Sequence, residues 1–303
     1  MAPLLPSPVP TWHRDSYAAI DPTNPSLNQK GKTVIVTGAG TGIGRATAIA
    51  FAQAEASHIV LIGRTESTLK ETESQIRSNE KISKTIKISV LPGSVSSEAQ
   101  MKSAAAEIGA WDILVLNAAV VNDLGPILAK GVEELWSVFE TNLKSILVMS
   151  HAFLGSAKEG AGMFNIDAAG AVLPPFMAPD IGPYVASKAG GAKLTEHLAW
   201  ENPHVLICNV HPGIIVTPML EKTARDYSNL PLDTAELAAH FLVWLSQTDK
   251  TRFLHGKFVY SNWDVDELSA KAAEVQKPFE HTVGVIGWPF GCDLPTFRFK
   301  GEV

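Results

Sequence analysis

The segment TGAGTGIG, Thr37–Gly44, constrains the fold of this chain more than any other stretch. It directly follows a short β-branched run, KTVIVTG (Lys32–Gly38), and a segment with helical apolar spacing begins at Ile43. A buried strand, a glycine-rich turn and a helix in that order form the structure that binds the pyrophosphate of a dinucleotide. The sequence therefore predicts a phosphate-binding turn at this point.

Each glycine of this turn has a physical role. Gly38 permits the tight turn, Gly42 lets the backbone approach a pyrophosphate, and Gly44 lets the helix pack closely on the strand. The helix start adds free N–H groups and a positive dipole end, both of which attract phosphate. The glycine spacing is G-x-x-x-G-x-G rather than the usual G-x-G-x-x-G. We expect the cofactor contacts to include Gly38, Thr41, Gly42, Ile43 and Gly44.

Predicted strands and helices alternate along the rest of the chain. Apolar runs predict further strands at His58–Gly63, Ile86–Leu91, Asp112–Asn117, Gly162–Ile166, Val205–Val210 and Gly256–Tyr260. Helical stretches separate them, including VEELWSVFETNLKSILVMSHAF and YVASKAGGAKLTEHLAWE. Such alternation predicts an α/β fold with a doubly wound parallel sheet, the Rossmann fold. We expect a single domain at residues 31–260, a Pro-rich N-terminal arm at 1–30 and a C-terminal extension at 261–303.

The N-terminal arm has two possible structures. Its large apolar side chains, Trp12, Tyr17 and Ile20, pin it to the domain or to a neighbouring subunit, or the arm is disordered. The arm lacks the basic start and the continuous apolar core of a signal peptide. No run of the chain approaches the roughly 18 apolar residues of a membrane span.

Charge and cysteine content narrow the range of partners and compartments. The formal net charge is -6, and the charges are scattered rather than clustered. This argues against nucleic acid or an anionic membrane surface as the main partner. Cys208 and Cys292 lie far apart and do not have the spacing of a metal site. We therefore expect two reduced thiols in a cytoplasmic protein that has no metal site.

Five motifs occur in a fixed order along the chain: TGAGTGIG, LNAA, the Asn of ETNLKS, YVASK and HPGIIVT. In this combination the chain resembles the short-chain dehydrogenase/reductase family from Lys32 to Tyr260. The WHRDSYAAIDP arm and the NWDVDEL tail are similar to a largely fungal branch of it. The resemblance implies a nicotinamide cofactor and a homodimer or homotetramer. The helices that pair in the family are apolar here over more than one face, which suits burial on two sides.

The end of the second predicted strand indicates which nicotinamide cofactor is used. NAD enzymes of this fold carry an acidic residue there, which bonds the ribose 2′-hydroxyl. This chain has Gly63 in that position, followed by Arg64. A guanidinium offers forked donors to a 2′-phosphate, whereas a carboxylate repels it. We therefore predict NADP(H), with Arg64 as the residue that binds its 2′-phosphate.

The resemblance implies further cofactor contacts. Ser94, in PGSVSS, stands where the family often has an Asp that contacts adenine. Asn117, in LNAA, corresponds to the Asn of the family's N-A-G turn, with Ala119 in place of the Gly. In the HPGIIVT loop, Ile215 and Thr217 correspond to the positions that hold the nicotinamide carboxamide and a phosphate.

Tyr184 and Lys188 are the candidate catalytic pair. They are four apart on a predicted helix, so both project from one face. A free phenol has a pKa of about 10, and a nearby cation lowers it towards neutrality. The resemblance also assigns both residues to cofactor binding, with Lys188 on the nicotinamide ribose. Asn142, in FETNLKS, corresponds to the family Asn that holds a water beside this Lys.

The segment Ala157–Ala186 contains no Ser and no Thr. The family strand ends in N-I-S-S, whose second Ser holds the substrate oxygen, and this chain reads NIDA from Asn165, which puts Ala168 in the Ser position. Counting back from Tyr184 by the family's usual gap gives Ala171 instead, so both routes place an alanine there. Asp167 and Asp180 are the candidate substitute donors. Successive strand residues face opposite sides, so Asp167 reaches the site only if the strand end bulges, and it must be protonated to donate. Alternatively, both carboxyls cap local backbone.

These features predict an NADP(H)-dependent oxidoreductase acting on a hydrophobic carbonyl or alcohol, such as a secondary metabolite. The apolar segments AVLPPFMAPDIGP and PMLEKTARDYSNLPL are expected to cover the small hydrophobic substrate, the second as a mobile lid. One alternative is a non-redox enzyme of the same fold, an isomerase, dehydratase or cyclase that uses Tyr184 and an Asp. Another is a catalytically silent binding protein, against which the joint presence of Tyr184, Lys188 and Asn142 argues.

Overall fold

The computed structural model describes residue 5, residues 7–221 and residues 230–284. Its strands are β1 (Thr33–Thr37), β2 (His58–Gly63), β3 (Lys87–Pro92), β4 (Trp111–Leu116), β5 (Ala157–Ile166), β6 (Leu206–His211) and β7 (Phe258–Tyr260). They form one parallel sheet in the order β3-β2-β1-β4-β5-β6-β7. All the strands predicted from the sequence are present, so the predicted Rossmann fold is confirmed.

Helices cover both faces of this sheet. They are α1 (Gly42–Gln53), α2 (Glu66–Ser78), α3 (Glu98–Ile108), α4 (Val132–Phe139), α5 (Ser145–Phe153), α6 (Gly182–Glu201), α7 (Pro218–Glu221), α8 (Ala235–Leu245), α9 (Thr248–Thr251), α10 (Val265–Ala270) and α11 (Ala272–Val275). Helices α1, α2 and α8 pack in one hydrophobic cluster, and α3 and α5 pack in the other. Among the residues described, no helix is long and apolar enough to cross a membrane.

The central strands are apolar throughout because both of their faces are covered. In β1, Val34 and Val36 join one hydrophobic cluster, and Ile35 joins the other. All three side chains are fully buried. Alternation along a strand sends successive side chains to opposite faces, so a strand between two helical layers must be apolar at every position.

The order of the strands determines where a site can form. From β1 the chain builds outwards through β2 to β3, then returns to β4 and builds the other way through β5, β6 and β7. The direction therefore reverses between β1 and β4, which pair directly. In open α/β sheets the crevice beyond the carboxyl ends of the strands at such a reversal is the usual ligand site.

The predicted helix that contains Asn142 is interrupted. Between α4 and α5, residues Glu140–Lys144 form one π-helical turn. The sequence predicted one helix across this region, and the π-turn was not foreseen. Single π-turns inside α-helices are rare and are frequent at functional sites. Here the turn carries the buried Asn142.

The N-terminal arm is anchored to the rest of the chain. Trp12 forms an antiparallel bridge with Trp263 in the C-terminal extension. His13 stacks on Tyr17 with ring centroids 3.5 Å apart, and its Nε2 lies 2.9 Å from the Asp264 carboxylate. Val9, Trp12, Ile20 and Leu27 are buried in the larger hydrophobic cluster. Of the two structures considered for the arm, the described part has the packed one.

Candidate active site

Two adjoining cavities lie at the carboxyl ends of the central strands. The phosphate groove, of about 360 Å³, is lined by the glycine-rich turn and by residues that follow β2 and β3. The catalytic cavity, of about 450 Å³, is lined by Tyr184, Lys188 and residues that follow β5 and β6. Both walls include Ile43, Asn117, Ala119, Thr217 and Met219. The two cavities therefore form one continuous cleft.

The glycine-rich turn after β1 has backbone angles and a close helix approach that only glycine accommodates well. Gly38 and Gly42 have positive φ angles of 63° and 51°, which disfavour residues with a Cβ. A Cβ on Gly44 would lie 2.3 Å from the Gly38 carbonyl oxygen, so helix α1 approaches the strand end too closely for any side chain. The backbone itself forms this part of the groove wall.

The first turn of α1 has free capacity to bind an anion. Its N-cap, Thr41, makes no side-chain hydrogen bond to the helix, and the first turn contains no acidic residue. Thr41, Gly42 and Ile43 all line the phosphate groove. Uncapped N–H groups at a helix start, beside a wall without side chains, suit a pyrophosphate. These residues therefore fit the dinucleotide that the sequence predicts.

The other predicted cofactor residues fall into two groups. Arg64 and Ser94 line the phosphate groove, and Arg64 is exposed and makes no ion pair with any residue in the described ranges. Asn117 lines both cavities, but its amide donates to the carbonyl oxygens of Thr37, at 2.9 Å, and Gly38, at 3.3 Å. Asn117 therefore holds the glycine-rich turn against β4.

Tyr184 and Lys188 lie one turn apart on α6 and both line the catalytic cavity. The Lys188 Nζ lies 5.9 Å from the centroid of the Tyr184 ring and donates to the Ile166 carbonyl oxygen at 2.6 Å. Burial lowers the pKa of Lys188, and the Asp167 carboxylate partly opposes this. Burial and the same carboxylate raise the pKa of Tyr184. The pKa of Tyr184 therefore shifts upwards, whereas Lys188 alone would lower it. The sequence does not show the burial or the nearby carboxylate, so it could not predict this direction.

Asn142 acts on the site from outside the catalytic cavity. Its Oδ1 accepts from the Val120 N–H at 2.8 Å, and its Nδ2 donates to the Val120 carbonyl oxygen at 2.8 Å and the Ser187 Oγ at 3.0 Å. Ser187 immediately precedes Lys188 on α6. The π-turn thus lets one buried amide fasten the loop after β4 to the helix of the catalytic pair.

Asp167 is buried beside the catalytic pair. One oxygen accepts from the Ala168 N–H at 2.7 Å, and the other accepts from the Asn165 amide at 3.1 Å. Burial raises the pKa of this carboxyl to about 6, although the nearby Lys188 charge opposes the rise. Asp167 and Ala168 both line the catalytic cavity. Strand alternation does not separate the two residues, because β5 ends at Ile166 and the chain then leaves the sheet.

The raised pKa of Asp167 predicts a pH-dependent stability. The folded protein, with a carboxyl pKa of about 6 against an ordinary 3.8, binds this proton more tightly than the unfolded chain does. Ionised Asp167 therefore destabilises the fold at high pH, and the penalty disappears as pH falls through 6 towards 3.8. Relative to wild type, Asp167→Asn should gain about 3 kcal/mol in free energy of unfolding between about pH 4 and pH 8. Urea denaturation at both pH values measures this, and a constant difference would contradict it.

Comparison with known proteins identifies the family. The sequence pattern of the family described as short chain dehydrogenase matches residues 32–228, which include the glycine-rich turn, Tyr184 and Lys188. The chain belongs to the short chain dehydrogenase family. Its members are oxidoreductases that use NAD(P) cofactors, so the dinucleotide fit of the cleft agrees with the family.

Fungal relatives and a bacterial structure resemble this chain over most of its length. A short chain dehydrogenase/reductase of Claviceps purpurea is 31% identical over 270 residues, 88% of this chain and 89% of the relative. The short chain dehydrogenase mpl6 of Monascus purpureus is 33% identical over 277 residues, 88% of this chain and 93% of the relative. A dehydrogenase/reductase structure from Sinorhizobium meliloti, 24% identical, covers 78% of this chain and 95% of its own with a TM-score of 0.67. That structural likeness shows the fold.

Several residues of the cleft were not identified from the sequence. Thr65, Gly93 and Thr141 line the phosphate groove, and His211 lines the catalytic cavity. Gly93 directly follows β3 and Thr65 lies two residues past the end of β2, and that position beside a strand end was a usable signal. His211 was part of the HPGIIVT motif, but nothing in the motif shows which way its ring points.

The loops around the catalytic cavity are partly described. The predicted lid, Pro218–Leu232, contains residues 222–229, which lie outside the described residues. Both described ends of this segment line the cavity, through Met219, Leu220, Leu230 and Pro231. Ile215 and Thr217 line it too, as does the loop after β5 through Leu173 and Met177. Asp180, the second candidate donor, is exposed and is not among the described residues of the cavity wall.

Proposed function

We propose that the protein is an NADP(H)-dependent oxidoreductase that interconverts a hydrophobic ketone and its alcohol, of the kind found in fungal secondary metabolism. The observation that carries this proposal is the continuous cleft, with the glycine-rich turn at one end and Tyr184 and Lys188 at the other. A bound nicotinamide supplies or accepts a hydride. The chain's own residues then have to orient the carbonyl group and move one proton.

Tyr184 is the proton donor in the direction of reduction. Since burial and Asp167 raise its pKa, the phenol keeps its proton at neutral pH and is available as a general acid. Lys188 stabilises the negative charge that develops on the phenol oxygen as the proton leaves, because its ammonium lies beside the ring. Asp167 keeps that ammonium charged against the desolvation that lowers its pKa. Asn142 positions Lys188 through the neighbouring Ser187.

The wall of the catalytic cavity supports a hydrophobic substrate. It is mostly aliphatic and includes Val121, Leu173, Ile181, Ile214 and Leu220. The loop that contributes Met177 to the wall also exposes Phe176, whose side chain is 80% accessible. An exposed apolar rim around an apolar cavity favours an apolar ligand. A cavity of about 450 Å³ is large enough for a polycyclic ketone.

Arg64 supports the preference for NADP(H). Arg64→Asp should weaken NADPH binding by about 10-fold or more, since the change removes a charge-assisted contact and places a carboxylate beside the 2′-phosphate. The affinity for NADH should hold or improve. Arg77→Asp at the far end of α2 makes the same charge change outside the described groove wall, and should leave both affinities unaltered. Fluorescence titration measures all four values. Equal binding of NADH and NADPH by the wild type would contradict the assignment.

The proposed function is tested by titration with NADPH, followed by a panel of carbonyl compounds in which NADPH absorbance is recorded. The panel contains α-tetralone, β-decalone and an aliphatic aldehyde as the small control. We expect tight NADPH binding and turnover of the bulky ketones.

The buried Asp167 in the same wall as Tyr184 favours one alternative, the non-redox enzyme, because a carboxyl with a pKa of about 6 suits acid–base chemistry. Substrate conversion without any NADPH consumption would support that alternative.

The same proposal includes a homodimer or homotetramer in the cytoplasm. Helices α4, α5 and α6 expose apolar side chains, among them Val132 at 77% and Trp200 at 86% accessibility. Exposed apolar surface of this kind on neighbouring helices suits a protein interface. The buried Cys208 is a free thiol, which agrees with a reducing compartment.

A further inference from the structure

When a hydride adds to a carbonyl carbon, negative charge develops on the oxygen, and a hydrogen-bond donor besides the proton donor stabilises that charge. The resemblance places Ala168 where a Ser would give that bond, and Ala157–Ala186 contains no hydroxyl side chain other than Tyr184. We propose that His211 supplies the missing hydrogen bond through its Nε2–H. This assignment rests on the proposed function, because it concerns the ketone that Tyr184 protonates.

The other polar groups of the described cavity wall are already engaged. The Asn117 amide donates to two carbonyl oxygens of the glycine-rich turn. The Lys188 Nζ donates to the Ile166 carbonyl oxygen at 2.6 Å. Both oxygens of Asp167 accept hydrogen bonds, and with a pKa of about 6 its carboxyl is mostly ionised at neutral pH and has no proton to donate. Thr217 lies where the cavity meets the phosphate groove, at the cofactor end of the cleft. His211 remains, and it lines this cavity together with Ala168.

The orientation of the His211 ring determines which nitrogen holds the proton. His211 is the last residue of β6, and its Nδ1 accepts from the Ala169 N–H at 3.1 Å. An Nδ1 that accepts leaves the proton of a neutral imidazole on Nε2. Among the described residues nothing accepts from Nε2. The ring packs edge-on against Tyr260 with centroids 4.9 Å apart, which holds its plane.

The His211 ring also lies beside Ala168 and stays neutral at physiological pH. The backbone bond to Ala169 holds it beside Ala168, the position assigned to the Ser hydroxyl. His211 is 6% exposed, and it is one of the residues that line the cavity. Burial lowers the pKa of the ring to about 3, so it remains neutral across the physiological range. It is therefore a fixed donor rather than a titrating acid.

The proposed step balances without a proton from His211. A reduced nicotinamide bound in the cleft would supply the hydride that the carbonyl carbon gains, and the C–O π electrons would move to the oxygen. The Tyr184 hydroxyl proton is transferred to that oxygen, which completes the alcohol. His211 only donates a hydrogen bond to the oxygen, and its proton stays on Nε2 throughout.

Two substitutions of His211, by Asn and by Gln, test the roles of its two ring nitrogens separately. Asn places an oxygen near the position of Nδ1 and keeps the Ala169 bond, but it has no distal donor. Gln places an amide N–H near the position of Nε2 and loses the proximal acceptor. With α-tetralone or β-decalone and NADPH, His211→Asn should lower kcat by about 10- to 1000-fold. His211→Gln should retain most of the activity, and both variants should bind NADPH like wild type.

The outcomes of these experiments distinguish failure of the proposed function from failure of the role of His211. A wild-type protein that binds NADPH but reduces no ketone would refute the proposed function, and the role of His211 with it. A wild type that reduces ketones, together with an active His211→Asn or an inactive His211→Gln, would refute the role of His211 alone. Nitrogen-15 spectra of histidine-labelled protein provide a measurement independent of turnover, with the His211 signals assigned by their loss in His211→Asn. At neutral pH we expect the neutral Nε2–H tautomer, and an imidazolium or an Nδ1–H tautomer would overturn the assignment.

Discussion

Tyr184→Phe should lower kcat for ketone reduction by about 100- to 10,000-fold, the range that general acid catalysis contributes. The substitution removes one oxygen from a half-buried ring and leaves the packing of α6 in place. Affinity for NADPH should change far less than turnover, since the glycine-rich turn and Arg64 lie in the other part of the cleft. Stopped-flow absorbance of NADPH under single-turnover conditions isolates the chemical step.

Tyr17→Phe is a matched control for this experiment. The Tyr17 hydroxyl donates to the Trp263 carbonyl oxygen and accepts from the Val265 N–H, in the contact between the arm and the C-terminal extension. Loss of the Tyr17 hydroxyl should lower the melting temperature and leave kcat for ketone reduction unchanged. If Tyr184→Phe retained the wild-type rate while binding NADPH normally, Tyr184 would not be the proton donor.

Ala168→Ser should raise kcat by about 10- to 1000-fold in a protein that carries His211→Asn. The new hydroxyl replaces the donor that His211→Asn removes, and the extended backbone of Ala168, φ −137° and ψ 138°, accepts any side chain. In the wild type the same change should raise kcat only a few-fold, because the His211 Nε2–H already occupies that side of the oxygen. The decisive quantity is therefore the difference between the effect of Ala168→Ser in the wild type and its effect in His211→Asn.

A double-mutant cycle with kinetics on α-tetralone measures this difference. Ala178→Ser adds the same hydroxyl elsewhere in the cavity wall and should rescue nothing. Two other results have clear meanings. A large gain from Ala168→Ser in the wild type would show that no donor occupies the position. A loss of the native activity in Ala168→Ser, with no dependence on NADPH, would favour the non-redox alternative.

The glycine-rich turn and the sheet could be predicted from the sequence because their signals are local. β-branched apolar runs are stable only between two covering layers, and His58–Gly63 is the same span in the prediction and in the structure. The motif order then placed Tyr184 and Lys188 on α6 and the glycine-rich turn at the start of α1. Positive φ angles at Gly38 and Gly42 follow from the same local chemistry.

The π-turn at Glu140–Lys144 could not be predicted in this way. Such turns are rare, and here Asn142 makes hydrogen bonds to residues distant in the sequence, Val120 and Ser187. The pKa of Tyr184 is a similar case. Spacing on a helix predicted a lowered value, but burial under the surrounding loops and the nearby Asp167 carboxylate raise it.

The sequence by itself determined the family, the sheet and the residues that can do chemistry, because each depends on neighbours within a few positions. Only the tertiary structure decided which of those residues share a cavity and which atoms they present to it. Asp167 and Ala168 came together because the chain leaves the sheet after Ile166, and the direction of the His211 ring depends on the Ala169 backbone N–H in the loop after β5. Hydrogen bonds and desolvation between distant segments have no local pattern, so they are defined only once the chain is folded.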